Sequence, residues 1–214
     1  MTSTSPTSSA AARLVALALA LLWLAGCASV EPVVKIGLVA PFEGRDRSIG
    51  YDAVYAARLA VREINAAGGV GGRRVALVAL DDRGDPELAR DAAASLVIDP
   101  AVVAVVGHYR PETTAAAADL YAAAGLPLLA AGAAPFAPGD PAALPDGFRV
   151  AYDAVTPFDE TAGPYAGPTY DALGLLRVAL AQAEQTRGDV TRESVQAALH
   201  GLEYEGVTGK VYLP

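Results

Sequence analysis

The chain has 214 residues, 53% of them hydrophobic, with a formal net charge of −8 and a sequence pI near 4.7. That is enough apolar material for one good core, and the acidic balance excludes a nucleic-acid partner, which needs a basic face. A single cysteine, Cys27, excludes an intramolecular disulfide, so the fold must stand on its core alone.

Residues 1–13 are polar with one positive charge, and residues 14–24 form an apolar run. That run is too short for the ~20 residues of a spanning helix. Leu24-Ala25-Gly26-Cys27 follows. Small residues before a cysteine at the end of such a run resemble a bacterial lipobox, with cleavage before Cys27 and lipid on its thiol. The alternatives are an ordinary signal peptide or a buried thiol. Residues 1–26 are thus read as a lipoprotein signal, 27–32 as a lipidated tether, and Cys27 as a membrane anchor.

Val33–Ala40 (VVKIGLVA) reads as a first, central strand. The loop 41–50 leaves its carboxyl end. Residues 51–66 read as an amphipathic helix, with Val54, Ala57, Val61 and Ile64 on one face and Arg58, Arg62 and Asn65 on another. Gly68-Gly69 stops it. The GGVGGRR stretch, 68–74, follows a helix and precedes a strand, the reverse of a phosphate-cradling loop, and reads as a turn.

Residues 74–80 read as the second strand. Asp81-Asp82 at its end could seed a metal site, but no His or further acid clusters nearby in sequence, so a solvated loop is expected and no metal is assigned. Asp85-Pro86 reads as an N-cap with proline at the first helical position, opening a helix to Val97. The stretch 101–134 then gives an apolar run to Val106, a polar loop 108–114, an Ala-rich helix to about Ala124 and a second apolar run 126–130: one β-α-β unit of a parallel sheet. In open α/β sheets ligands bind outside the carboxyl ends of the strands, beside helix N-termini. The loops 108–114 and 131–134 therefore form the expected contact edge.

Residues 131–147 read as a long loop and Phe148-Arg149-Val150 as a short strand. No period is sustained over 151–167. Pro168 opens a helix to about Gln185, Thr191 caps another that ends at His200-Gly201, and 206–213 reads as a turn and a final strand.

The order VKIGLVAPFEG, GYDAVYAARLAVREINAAGGVGGRRVALVALDDRGDPELA, VVAVVGHYRPETTAAAADLYAAAGLPLLAAGAA, Phe148-Arg149, and later PTYDALGLLRVAL, TRESVQAALHGL and EGVTGKVYL resembles the type I periplasmic binding proteins. Among these it is similar to the leucine/isoleucine/valine-binding family of ABC transporters. The resemblance implies an α/β fold: an open parallel sheet flanked by helices, mainly the N-terminal lobe, spanning 33–150, with 151–214 returning to complete it. Most of the second lobe of a family member has no counterpart here, and the join is expected near Val150-Ala151. It also implies a substrate-binding component of an importer for a branched-chain amino acid or related small solute. Its partners would be an amino-acid-like ligand, an ABC permease and the membrane through the lipid anchor, with no cofactor.

Carried over by position, the family's carboxylate-binding loop falls on Pro111, Thr113 and Thr114. The next site falls on Gly132, Ala133 and Ala134, and an aromatic before the first helix becomes Ile49, with Tyr51 nearby. Pro111 has no N–H to offer. No residue here matches the acid that receives the ligand's ammonium. An enzyme reading lacks a nucleophile in a G-x-S-x-G context. His108 is therefore read as loop-organising or ligand-shaping and His200 as a favourable cation at a helix C-terminus. Glu112 fits dipole compensation as well as ligand contact, and Tyr121, Tyr165 and Tyr170 read as core or rim. The alternative function is an envelope interaction protein reusing the fold, or a remnant that binds nothing.

Overall fold

The computed structural model describes residues 32–157 and 160–214. The signal segment, with Cys27, lies outside the described residues. β1 (Val33–Ala40) is apolar along nearly its whole length because it is flanked on both sides. β2 (Arg74–Asp81) and β3 (Val102–Gly107) pair with it in parallel, and β4 (Leu128–Ala130) adds to β3, giving the order β2-β1-β3-β4. Each parallel step is made by a helix crossover: α1 (Arg47–Ala66), α2 (Pro86–Val97) and α3 (Pro111–Ala123).

The helices divide between the two faces. Leu96 of α2 and Ala117 and Tyr121 of α3 bury one face together with Val39 and Val105. The other face is covered by α1 and by a helix from late in the chain, α5 (Ala166–Arg187), whose Leu173, Leu175, Leu176 and Leu180 are fully buried against Ala57 and Leu59. Pro168 sits in the first turn of α5, where its missing N–H would have had no partner. Among the described residues, no helix is long and apolar enough to cross a membrane.

Local signals set most boundaries. Asp85 accepts from the N–H groups of Glu87 and Leu88, and Pro86 follows at the first helical position. Thr191 caps α6 (Arg192–Leu199) reciprocally with Ser194. The Gly-rich stretch after α1 is a turn: Val70 bridges Arg73, and Gly69, Gly71 and Gly72 take positive φ. The chain continues through the hairpin β5 (Glu203–Gly206) and β6 (Gly209–Tyr212). Its turn is held by Asp171, which accepts from the Val207 and Thr208 N–H groups at 2.7 and 2.9 Å.

One expected strand is a helix. Phe148-Arg149-Val150 lies inside α4 (Asp146–Asp153). A strand would put Phe148 and Val150 on one face, yet Phe148 is 6% exposed and Val150 is 69% exposed. The period that matters is four: Phe148 and Tyr152 are both buried, with ring centroids 5.9 Å apart. Phe148 also packs edge-on against Tyr170, and Tyr152 against Tyr55.

Candidate functional site

Four loops leave the carboxyl ends of the strands, and buried polar contacts tie three of them together. Asp81, at the end of β2, accepts from the Phe42 N–H at 2.8 Å in the β1–α1 loop and from the Arg83 N–H at 2.9 Å in its own loop. Asp82 is fully buried, so the expectation of a solvated Asp81-Asp82 loop is corrected at this residue. One of its oxygens takes the Gly84 N–H at 2.9 Å, and the other lies 2.7 Å from Nδ1 of His108. A carboxylate can only accept, so Nδ1 carries a proton. Nε2 of His108 faces the Tyr121 hydroxyl at 3.2 Å. Desolvation of two fully buried polar side chains is offset by these partners. His108 therefore organises loops, joining the β2–α2 turn, the β3–α3 loop and the body of α3.

The close approach of strand ends dictates two glycines. Gly107 has φ +139° and lies against the Val39 carbonyl, where a Cβ would collide. Gly132 has φ +83°, lies against the Tyr109 carbonyl and donates its N–H to Phe136. The loops after β3 and β4 thus touch. Tyr109 between them is buried, its hydroxyl 2.8 Å from that of Thr169 on α5, and burial pushes its phenol well above the usual range.

Thr113 and Thr114 both lie at the start of α3. Thr113 is fully buried and donates to the Arg110 carbonyl; Thr114, half-buried, donates to the carbonyls of His108 and Arg110. Both hydroxyls are therefore committed to the loop itself. Pro111 is exposed at the first helical position. Ala133 and Ala134 are exposed, with Ala134 also lining a groove of about 380 Å³ beside β4, Phe136 and Leu199. Ile49 is half-buried near the start of α1, and Tyr51 is exposed there, its ring tilted against Tyr55.

An ion network runs along the same edge. The Arg110 guanidinium gives Nη1 to Asp46 at 2.8 Å and Nε to Glu112 at 2.6 Å. Arg83, with positive φ, pairs with Glu43 at 2.6 Å. The Glu112 carboxyl is held low first by its own backbone N–H and then by Arg110. Sequence reading passed over Arg110 and Asp46, which are 64 residues apart in the chain. The available signal was a guanidinium immediately before the first-turn proline of a helix that opens on this edge. Asp52 on α1 accepts the Tyr165 N–H at 3.2 Å. Burial raises its carboxyl to about 6, against the lowering effect of the Tyr165 and Gly163 N–H groups. Among the described residues no three His, Cys, Asp or Glu side chains are grouped to hold a metal ion. The edge presents small exposed residues, Ala133 and Ala134, and a guanidinium paired with two carboxylates.

The family model described as periplasmic binding protein matches residues 33–163, which include every loop of this edge. The chain belongs to the periplasmic binding protein family. An amino acid binding protein of Pseudomonas aeruginosa is 30% identical over 181 residues, 82% of this chain and 47% of that protein. A leucine-specific-binding protein of Salmonella typhimurium is 27% identical over 167 residues, 78% of this chain and 43% of that protein. The chain thus spans less than half the length of these curated relatives. Among solved structures, the branched-chain amino acid transporter substrate binding protein LivJ of Streptococcus pneumoniae, in complex with isoleucine, superposes with a TM-score of 0.70 at 17% identity, covering 85% of this chain and 92% of that one. A solute binding protein of an ABC transporter from Rhodopseudomonas palustris, in complex with 3,4-dihydroxy benzoic acid, gives 0.68 at 16% identity, covering 83% and 88%. These likenesses establish the periplasmic binding protein fold, with its parallel sheet flanked by helices.

Proposed function

We propose that this chain is the solute-binding component of an amino-acid ABC importer, exported from the cytoplasm, anchored through Cys27, and delivering its solute to a permease. The observation that carries this reading is the unbroken family match over 33–163, which contains all four strand-end loops. The relatives named above are described as binding amino acids or, in one structure, an aromatic acid. The group common to those ligands is a carboxylate. In this chain the solute sits against the exposed backbone of Ala133 and Ala134, the first turn of α3 beside Pro111, and the side chains of Ile49 and Tyr51. The Thr113 and Thr114 hydroxyls shape the loop from beneath. The lobe formed by 33–150 with 151–214 is the binding unit.

A thermal-shift panel of amino acids and small organic acids on the purified protein tests this. A ligand that binds only the folded state at ~100 times its dissociation constant adds about 2.7 kcal/mol of stability. Leucine, isoleucine or valine is expected to raise the melting temperature. A cooperative melt that no member of the panel moves would overturn the reading. Anchoring is tested separately: Cys27→Ser is expected to release the protein from the membrane fraction.

A further inference from the structure

Among the described residues, β4 pairs with β3 on one side and with no strand on the other. Its backbone pattern shows which groups are left over. The Val105 N–H reaches the Pro127 carbonyl and the Ala131 N–H reaches the Gly107 carbonyl, so the odd-numbered residues of this stretch face β3. Leu128, Ala130 and Gly132 face the open side. Gly132 donates there to the Phe136 carbonyl. The N–H and C=O groups of Leu128 and Ala130 have no backbone partner on that side among the described residues. A groove of about 380 Å³ runs along them, walled by Phe136, Leu199 and Leu213. No residue lining it is Asp, Glu, Lys or Arg, and residues 120–139 carry no charged side chain. The opposite edge, β2, begins with Arg74 and ends with Asp81, the kind of charged guard that keeps an edge strand from pairing.

We infer that β4 pairs antiparallel with β4 of a second copy of this chain, across a two-fold axis at Leu129, so that two sheets become one. With Leu129 opposite its own counterpart, Leu128 lies opposite Ala130 of the second copy, and each such pair exchanges both N–H···O bonds. The leftover groups of this edge are thus the complement of the same edge turned round, which is what a two-fold interface requires. The two Leu129 side chains meet at the closer, non-hydrogen-bonded spacing, on the face that Leu129 shares with Phe136 and Leu199. Charge argues for this occupant. At a net charge of −8 two copies repel over most of their surface, and an uncharged edge is where they approach. A charged peptide would find no counter-ion in the groove. β4 runs only Leu128–Ala130, so the strand of the second copy ends before the position that Phe136 fills. So short an interface gives a reversible dimer that forms with rising concentration.

The experiment is cross-linking of the full chain in mild detergent, in a Cys27→Ser background so that an introduced thiol is the only one. Opposed residues of a hydrogen-bonded pair lie about 5.5 Å apart between Cα atoms, within the span of a disulfide. Leu128→Cys mixed with Ala130→Cys is expected to cross-link under mild oxidation. Neither variant alone is expected to do so, because its thiol then faces the wrong residue of the second copy. Sedimentation of the parent in density-matched detergent is expected to show a mass that rises with concentration towards two chains. Ala130→Pro removes an open-edge N–H without touching the β3 ladder, and Leu128→Lys puts a charge on the edge. Each is expected to hold the mass at one chain. No cross-link in the mixture, equal cross-linking in the single variants, or a dimer that survives both substitutions overturns the inference. A parent that stays monomeric up to millimolar concentration overturns it too. If a capped, uncharged Leu-Ala peptide then moves the Leu128 and Ala130 amide resonances, the edge takes an extended peptide in place of a second copy.

Discussion

Arg192, the first residue of α6, makes five hydrogen bonds to backbone carbonyls: Val102 at 2.9 Å, Val97 at 3.0, Asp99 at 2.8, and Leu96 and Ala124 at 3.4. These oxygens lie at the C-terminal ends of α2 and α3, in the turn after α2 and at the start of β3, where the last carbonyls of a helix lack a full set of intrahelical partners. One guanidinium therefore fastens the late part of the chain to the amino end of the sheet. Arg192→Met keeps much of the stem and removes the donors. The three short bonds contribute about 1 kcal/mol each, and the favourable charge at the α2 terminus adds about 0.3–1 kcal/mol. Water can reach part of this half-buried site and recover some of that, so the expected loss is about 3 kcal/mol. For a domain of this size it lowers the melting temperature by about 6–12 °C. Urea unfolding and a thermal melt followed by circular dichroism measure both quantities. Arg192→Lys keeps the charge but loses the planar fork, and is expected to recover less than half of the loss. A loss below about 1 kcal/mol in Arg192→Met, matching Arg62→Met on the exposed face of α1, would refute the reasoning.

His108→Leu leaves Asp82 buried with the Gly84 N–H but without its ring partner. Stranding a buried charge is expected to cost about 3–5 kcal/mol in urea unfolding. Asp52 has its folded-state carboxyl raised to about 6 from 3.8, chiefly by burial. The folded state thus holds the proton over a window where the unfolded chain has released it, so the contribution of Asp52 to stability is fully present below about pH 3.8 and is lost as pH rises through about 6. Two units would give about 2.7 kcal/mol, and solvent contact reduces this to roughly 1–2 kcal/mol. Asp52→Asn is expected to flatten that slope in melts taken between pH 4 and 7, with the variant at least as stable as the parent at pH 7. Gly107→Ala drives a Cβ into the Val39 carbonyl at φ +139° and is expected to cost more than 2 kcal/mol. Gly68→Ala, at φ +99° with open space around it, is expected to cost about 1 kcal/mol.

The first half of the fold was legible because its signals agree locally. Continuous apolar strands, Asp85-Pro86, and the glycines after α1 and α3 all point to one alternation. Phe148-Arg149-Val150 was not, since three residues cannot separate a period of two from one of 3.6. The deciding contact, Phe148 on Tyr170, comes from a helix that follows later in the chain. β5 escaped because its alternation, Glu203-Tyr204-Glu205, is too short before the turn to stand out as a strand. At the site, the inward turn of Thr113 was readable: Thr113, Ala117 and Tyr121 lie four apart and are all buried. The pairing of His108 with Asp82 was not, because a separation of 26 residues carries no local periodicity.

The position of α5 has a consequence in time. Its leucines close the sheet face that α1 leaves open, yet they leave the ribosome long after β1. At roughly 5–20 residues per second, the 140 residues between Val33 and Leu173 separate the two by about 7–28 s. During that interval an apolar sheet face exists without its cover, and closing it requires contacts distant in sequence, which form slowly. A nascent chain stopped before Ala166 should therefore bind an apolar dye that the finished protein excludes. Such a chain is a substrate for whatever shields apolar surface until its last quarter arrives.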